Sequence, residues 1–514
     1  MMELTLKKEK PESSSKQAVA DLFDTEYLKS DLRGRSIRGG AATMSGQAVK
    51  FVIRMASIAV LARLLTPEEF GLVAMVTVVT EFILMFKDMG LSTATIQRAE
   101  VNHAQISTLF WVNTAIGFVL SVLTAALAPV ITWFYGDPRL TAVTVALATG
   151  LVLGGLTIQH EALLKRKMRF GALAVIDVIS MATGVATGIV LALLKAGYWS
   201  LVFMQLSTSA TYAIWIWIVS GWRPGQPRLH SGIRPMLNFG WNIVGFRLVN
   251  YFARYTDTIL LGRFRGAAVL GLYNRAHSIM MLPLSNITWP ITTVAMPALS
   301  RIQDDQRRYA SYYTKAIQFL SFICMPLIVI LAVCSKSVIN IMLGSQWTGA
   351  SRIFQILAIT AFIQPVSSTT GLVLLSLGRS GRLLKFGIFN SLFIVLSFVV
   401  GVRWGAIGVA AAYAVANYVI LFPSLWYCFR LTPVSTAVFL HGIARPTVAS
   451  LVMASIVLLA QPFLVNQPNI AIIGISFIIG LFAYLLVWTL MPGGLQTLRG
   501  FVDYIALIFP KKHS

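Results

Sequence analysis

Residues 250–264 read NYFARYTDTILLGRF, an arginine and an aspartate set into an otherwise apolar run. Arg247, Asn250, Arg254 and Asp257 step by 3, 4 and 3, which places them on one face of a helix, with Trp241 and Asn242 one to two turns earlier. An earlier helix carries a similar stripe, Gln47, Lys50, Arg54 and Ser57. An ionised side chain at the centre of a membrane helix costs about 2.5–3.5 kcal/mol, so it is kept where it faces a cavity or a partner. Two carboxylates lie inside apolar runs, Glu81 and Asp257, and Asp88 follows Glu81 by one heptad. Depth along the helices nominates Glu81 with Arg54 or Lys50, and Asp257 with Arg275, as ion pairs that either fix packing or serve a coupling ion. The basic set Lys50, Arg54, Arg247, Arg254 and Arg275, with Asn250 on the same stripe, exceeds those two carboxylates. The surplus positive charge calls for a large, anionic, partly polar ligand.

Pro283, Pro290 and Pro297 recur every seven residues in AVLGLYNRAHSIMMLPLSNITWPITTVAMPALS, on one helix face. Each removes a backbone hydrogen bond and favours a kink. The bent helix lines a cavity, serves as a hinge, or is a passive packing kink.

The helices that must position these groups follow from composition. The chain is 56% hydrophobic and only 12% charged, with a mean hydropathy of +0.74. A soluble domain is about a quarter charged, so lipid is the bulk solvent here. The net charge of +23 therefore belongs to cytoplasmic loops and not to nucleic-acid binding, for which no finger, RNP-like or basic-zipper pattern is present. Cys324, Cys334 and Cys428 lack metal or redox spacing and read as small packing residues. No cleavable signal peptide is visible.

Crossing about 30 Å of hydrocarbon takes roughly 20 residues. Fourteen runs qualify, near 44–64, 70–89, 106–134, 140–162, 171–194, 198–220, 236–261, 268–299, 312–334, 353–377, 384–402, 405–428, 441–461 and 469–491. The first is the weakest, because it holds Lys50 and Arg54. With the N-terminus inside, the short cytoplasmic loops carry about 18 Lys/Arg and the external loops about 8, which puts both termini in the cytoplasm. Residues 1–43 read as a disordered cytoplasmic tail, and 492–514 as a second tail, with an interfacial amphipathic helix as the alternative.

At an offset of 200, Arg54, Leu61, Arg63 and Gly71-Leu72 match Arg254, Leu261, Arg263 and Gly271-Leu272. VITWFYG (130–136) resembles VINIMLG (338–344) in the same order. The expected fold is an all-α integral membrane protein of about 14 transmembrane helices. Two six-helix bundles, 44–221 and 236–429, are joined by a cytoplasmic linker, 222–235. They surround a central cavity, and two additional helices follow at 430–491. Six spans per half is an even number, so the halves run in the same direction about an axis along the membrane normal, a transporter architecture.

There is no P-loop, H-E-x-x-H, G-x-S-x-G or Cys/His metal pattern. No catalytic residue, metal or cofactor is expected, and the chain reads as no enzyme. His160-Glu161, beside a basic loop, reads as a surface pair.

ARLLTPEEFGLVAM (62–75), DMGLSTATIQR (88–98), LGLYNRA (270–276) and PALSRIQDD (297–305) resemble the bacterial polysaccharide transporter family. This is the O-antigen and exopolysaccharide flippase branch of the multidrug/oligosaccharidyl-lipid/polysaccharide exporter superfamily, and the likeness is to its colanic-acid-exporter type. It covers about residues 42–490. It implies a flippase of the bacterial inner membrane that moves undecaprenyl-diphosphate-linked oligosaccharide units outward by alternating access. It also implies two bundles in a V around a cationic cavity, membrane lipid and lipid-linked oligosaccharide as partners, and a polysaccharide polymerase and co-polymerase downstream. The family shares no invariant catalytic motif, so the basic residues match it by position only. The competing classes are a multidrug/cation antiporter on the same scaffold, a peptidoglycan-precursor flippase, and a polysaccharide polymerase or ligase.

Overall fold

The structure, a computed structural model, describes residues 32–88, 90–98, 101–227 and 234–508. The side chains of residues 234–250, including Trp241, Asn242, Arg247 and Asn250, and that of Pro283 lie outside the described set, as does the tail 1–31. Every regular element among the described residues is helical: α1 (Leu32–Leu64), α2 (Pro67–Asp88), α3 (Leu91–Gln97), α4 (His103–Tyr135), α5 (Arg139–Arg166), α6 (Phe170–Leu193), α7 (Trp199–Ser220), α8 (Arg234–Arg301), α9 (Gln306–Val333), α10 (Ser335–Met342), α11 (Gly349–Ser367), α12 (Thr369–Ser376), α13 (Ser380–Gly401), α14 (Gly405–Phe429), α15 (Thr436–Leu464), α16 (Asn469–Leu490) and α17 (Gly494–Ile508).

Local chemistry sets several ends. Asn102 caps α4 by accepting the Gln105 N–H at 2.8 Å, and the Gln105 side chain returns to the Asn102 N–H at 3.2 Å. The same helix stops at Gly136, whose φ of 75° is the left-handed conformation a C-cap needs. Asp305 and Ser435 cap α9 and α15 through the N–H groups of Arg308 and Val438.

Among the described residues ten helices are long and apolar enough to cross a membrane, or eleven counting the bent pair Arg254–Leu282 and Leu284–Arg301. This measure stops three short of fourteen: the expected seventh span falls mostly on residues 236–250, whose side chains are not described, and two further differences have physical reasons. The helix α1 is not among the ten, since Lys50, Arg54 and Arg63 dilute it. The 50-residue span Ser380–Phe429 joins α13 and α14 across the turn Val402–Trp404, where two spans were expected. Large apolar side chains stand exposed, Trp133 at 79% and Phe463 at 85%. That is a liability in water and an ordinary lipid contact in a bilayer. The chain is a multi-pass membrane protein.

Two compact units divide the chain. The first takes the described residues up to Leu65 and then Leu72–Tyr251, and the second takes Thr66–Gly71 and the chain from Phe252 onward. In the first unit α4 packs on α5, and α6 on α7 and α1. The helix α1 begins at Leu32, inside the stretch expected to be a disordered tail. Its Gly39 and Gly46 explain this. A Cβ there would fall 2.8 Å from Phe170 and 2.9 Å from Ala174, so the small residues are contact points on α6 and not linker signals.

In the second unit Tyr309, Tyr313, Phe429 and Phe439 centre a core in which two phenols meet hydroxyls, Tyr309 with Ser376 at 2.6 Å and Tyr313 with Thr369 at 2.7 Å. α17 is an ordered helix whose Phe501 seats against Phe319, Phe322 and Trp488. The three cysteines are free and buried. Glycines matched at an offset of 200 make close contacts in this unit. A Cβ on Gly71 would strike the carbonyl oxygen of Ala267, and one on Gly271 would strike that of Pro67. The contacts are reciprocal, positions 71 and 67 meeting 267 and 271.

Candidate functional site

α8 is two helices. Gly266 has φ 81° and ψ 174°, a conformation open to glycine, and it breaks the helix between the expected seventh and eighth spans. Asp257 and Tyr273 lie eight residues either side of position 265, and the Tyr273 hydroxyl donates to Asp257 Oδ2 at 2.9 Å. The chain therefore reverses at this break, with the carboxylate clasping its two arms. Asp257 is 5% exposed and also accepts the Thr258 N–H at 2.6 Å and the Thr258 hydroxyl at 3.2 Å. The His277 ring stacks parallel to Tyr273 at 6.1 Å.

The expected Asp257–Arg275 pair is not formed. The Arg275 guanidinium lies over the Phe70 ring, 4.1 Å from its centroid, and Phe70 packs edge-on against Trp347 at 5.4 Å. Arene faces attract a guanidinium where no carboxylate is aimed at it. The 42° bend between Arg254–Leu282 and Leu284–Arg301 falls at Pro283. Pro290 and Pro297 lie in the helix after it and are exposed.

In the first unit Lys50 donates to Asp177 Oδ2 at 2.6 Å, with the two side chains 19% and 39% exposed. The partner is thus not Glu81. Asp177 is a third carboxylate in the apolar runs, in FGALAVIDVISMATG, and the rule that singles out Glu81 applies to it equally. Asp177, Glu81 and Glu161 line one cavity of about 340 Å³ with Lys87, open on one side and lying between α2, α5, α6 and α7. Glu161 bridges to Lys165 at 2.6 Å.

The neighbouring His160 is not a surface residue. It is 0% exposed, its Nδ1 sits 2.8 Å from Ser220 Oγ, and Trp217, Trp222 and Phe110 pack around its ring. That aromatic cluster holds residues 221–227 against the first unit. Arg54 and Arg254 are exposed, and among the described residues neither makes an ion pair or hydrogen bond. Two positions matched at an offset of 200 thus present guanidiniums with no anionic partner among the described residues.

The chain is a multi-pass helical membrane protein of two compact units, with ionised groups inside its spans. Solved structures share this fold. The protein resembles "Lipid II flippase MurJ, inward closed conformation" with a TM-score of 0.69 at 14% identity, over 88% of this chain and 98% of that one. An inward-facing multidrug resistance MATE transporter of the MOP superfamily aligns with a TM-score of 0.54 at 15% identity, over 78% and 95%. These likenesses show the fold alone.

Residues 60–352 match the family described as "Polysaccharide biosynthesis protein", and the chain belongs to that family. The four stretches that carry the resemblance, from 62–75 to 297–305, fall inside the matched residues. Similar relatives include the teichuronic acid biosynthesis protein TuaB of Bacillus subtilis, 28% identical over 79% of this chain and 84% of its own length. The lipopolysaccharide biosynthesis protein WzxC of Escherichia coli is 25% identical over 76% and 80%. The succinoglycan biosynthesis transport protein ExoT of Rhizobium meliloti is 24% identical over 82% and 85%.

Proposed function

We propose that this protein is a flippase of undecaprenyl-diphosphate-linked oligosaccharide repeat units. It works in the bacterial inner membrane with both termini cytoplasmic, and it feeds exopolysaccharide or lipopolysaccharide synthesis by alternating access through a cationic cavity. Family membership supports the polysaccharide setting, and relatives named for lipopolysaccharide, teichuronic acid and succinoglycan synthesis support the cargo class. The observation that carries the reading is the pair Arg54 and Arg254, exposed on their helices without a carboxylate partner among the described residues. A diphosphate supplies the missing anion, and a guanidinium fork suits its oxygens.

Moving negative charge outward against an inside-negative potential is favourable by about 2.3 kcal/mol per charge per 100 mV. With these two arginines, Lys50, Arg247, Asn250 and Arg275 remain candidate contacts for the anionic cargo, Lys50 and Arg275 only on leaving Asp177 and the Phe70 ring. Asp257 acts as a positioning group, since its oxygens are committed to Tyr273 and Thr258. Glu81 and Lys87 line the first unit's cavity. The bend at Pro283 is the candidate hinge. A polysaccharide polymerase and co-polymerase act on the delivered unit.

Deleting the gene, with lipid-linked oligosaccharide and exported polymer both quantified, tests the reading. Loss of polymer with retention of the lipid-linked unit on the cytoplasmic side is expected. Unchanged polymer and unchanged lipid-linked pools would remove this cargo.

A further inference from the structure

The cavity of the first unit is polar, and two of its three carboxylates are held in ion pairs. Lys50 bridges to Asp177 and Lys165 to Glu161, at 2.6 Å each, while Glu81 and Lys87 share the lining. A charged ligand would have to compete with these pairs, whereas an uncharged one need not. This separates the cavity from the guanidiniums of Arg54 and Arg254, which have no ion-pair partner among the described residues.

The remaining lining has a definite hydrogen-bonding sense. The hydroxyls of Thr77, Thr80, Thr157 and Thr208 each donate to a carbonyl of their own helix, at 2.8, 3.0, 2.9 and 2.7 Å. Their protons are used, and only acceptor lone pairs face the cavity. The Lys87 ammonium and the Gln205 amide supply donors, and neither has a hydrogen-bond partner among the described residues. Leucines such as Leu84, Leu151 and Leu206 fill the gaps with apolar surface. Fixed acceptors beside unspent donors, interleaved with apolar patches, complement a ligand whose hydroxyls donate and accept and whose C–H faces are apolar. The volume of about 340 Å³ lies at the small end of ligand sites, about 300–1,000 Å³.

We propose that this cavity is a sugar subsite, holding one uncharged hexopyranose ring of the cargo. The inference rests on the flippase reading and adds to it where a neutral sugar is recognised.

The test uses the full chain in lipid nanodiscs, with saturation-transfer NMR of free D-glucose, D-galactose, D-mannose and L-rhamnose, and D-glucuronate as the charged comparison. At least one neutral hexose is expected to bind in the millimolar range, with glucuronate at least ten-fold weaker. Gln205→Leu is expected to raise the Kd at least five-fold. Leucine is more apolar and favours helix, so the span still inserts. Ser209→Ala, a smaller change in the same lining, is expected to raise it about two-fold with an unchanged melting temperature.

Absence of Gln205-dependent binding for all four neutral sugars overturns the subsite, as does glucuronate binding as tightly as the hexoses. Flipping of lipid-linked oligosaccharide by the same preparation separates the two claims. Flipping without hexose binding leaves the flippase and removes the subsite. Hexose binding without flipping retains the subsite and removes the transport reading.

Discussion

Arg254 and Asp257 stand three residues apart and do different work. The arginine is exposed and has no partner among the described residues, while the aspartate is buried and bound by the adjacent Thr258 and, across the chain reversal, by the Tyr273 phenol. Arg254→Ala is expected to abolish polymer export with protein level and melting temperature unchanged, and Arg254→Lys to retain part of it, since lysine keeps the charge and loses the fork. Normal export by the alanine variant would take the residue out of the transport path. The Lys50–Asp177 pair makes a second case. Its partial exposure puts its worth between the about 1 kcal/mol of an exposed pair and the about 3–5 kcal/mol lost when a buried one is broken. Lys50→Met and Asp177→Leu alone are each expected to lower the melting temperature, and the double variant to recover most of the loss. Equal losses that simply add would show that the two groups are not coupled. Sequence spacing identified the charged residues but not their partners. Asp177 was visible as a carboxylate in an apolar run. The turn of Arg275 onto Phe70 depends on packing between segments about 200 residues apart, which spacing along one helix does not report.

At the scale of elements, hydropathy located the helices closely. The run expected at 106–134 is His103–Tyr135, and that at 469–491 is Asn469–Leu490. The miss at the start of α1 has a clear cause. Small residues signal a linker when read alone and a close contact when a partner helix is present, as where Gly39 and Gly46 of α1 meet α6. Gly71 and Gly271 are the sharpest instance, because any side chain there meets backbone and cannot be relieved by a rotamer change. Gly71→Ala and Gly271→Ala are each expected to cost about 1–3 kcal/mol, as overpacking does. Gly387→Ala, where a Cβ meets nothing within 4 Å, is expected to be neutral or to stabilise α13 by about 0.5–1 kcal/mol. Thermal unfolding in detergent reads all three. Equal stability of Gly71→Ala and Gly387→Ala would mean that the reciprocal contact is not held in the folded protein.

At the scale of the whole molecule, composition separated membrane from water, and the excess of basic loop residues set an orientation that tags at either end can check. Both tags are expected to be cytoplasmic. A periplasmic tag at one end alone would require an odd number of spans. The residues themselves showed the cargo only as a charge imbalance; its polysaccharide setting came from the resemblance of four short stretches, which the family match bears out. The sugar composition is not written in any single residue pattern, because recognition is spread over hydroxyls and amides that also occur in ordinary helix packing.

The central claim is movement of a lipid-linked, diphosphate-bearing oligosaccharide, and reconstitution tests it most directly. Purified protein is placed in liposomes loaded with the host's undecaprenyl-diphosphate-linked repeat unit, and the fraction of oligosaccharide open to an added glycosidase is followed with time. The account predicts protein-dependent exposure of the inner-leaflet pool, lost in Arg54→Ala and Arg254→Ala. Exposure no faster than in protein-free liposomes, or equal rates with both arginines removed, would contradict it.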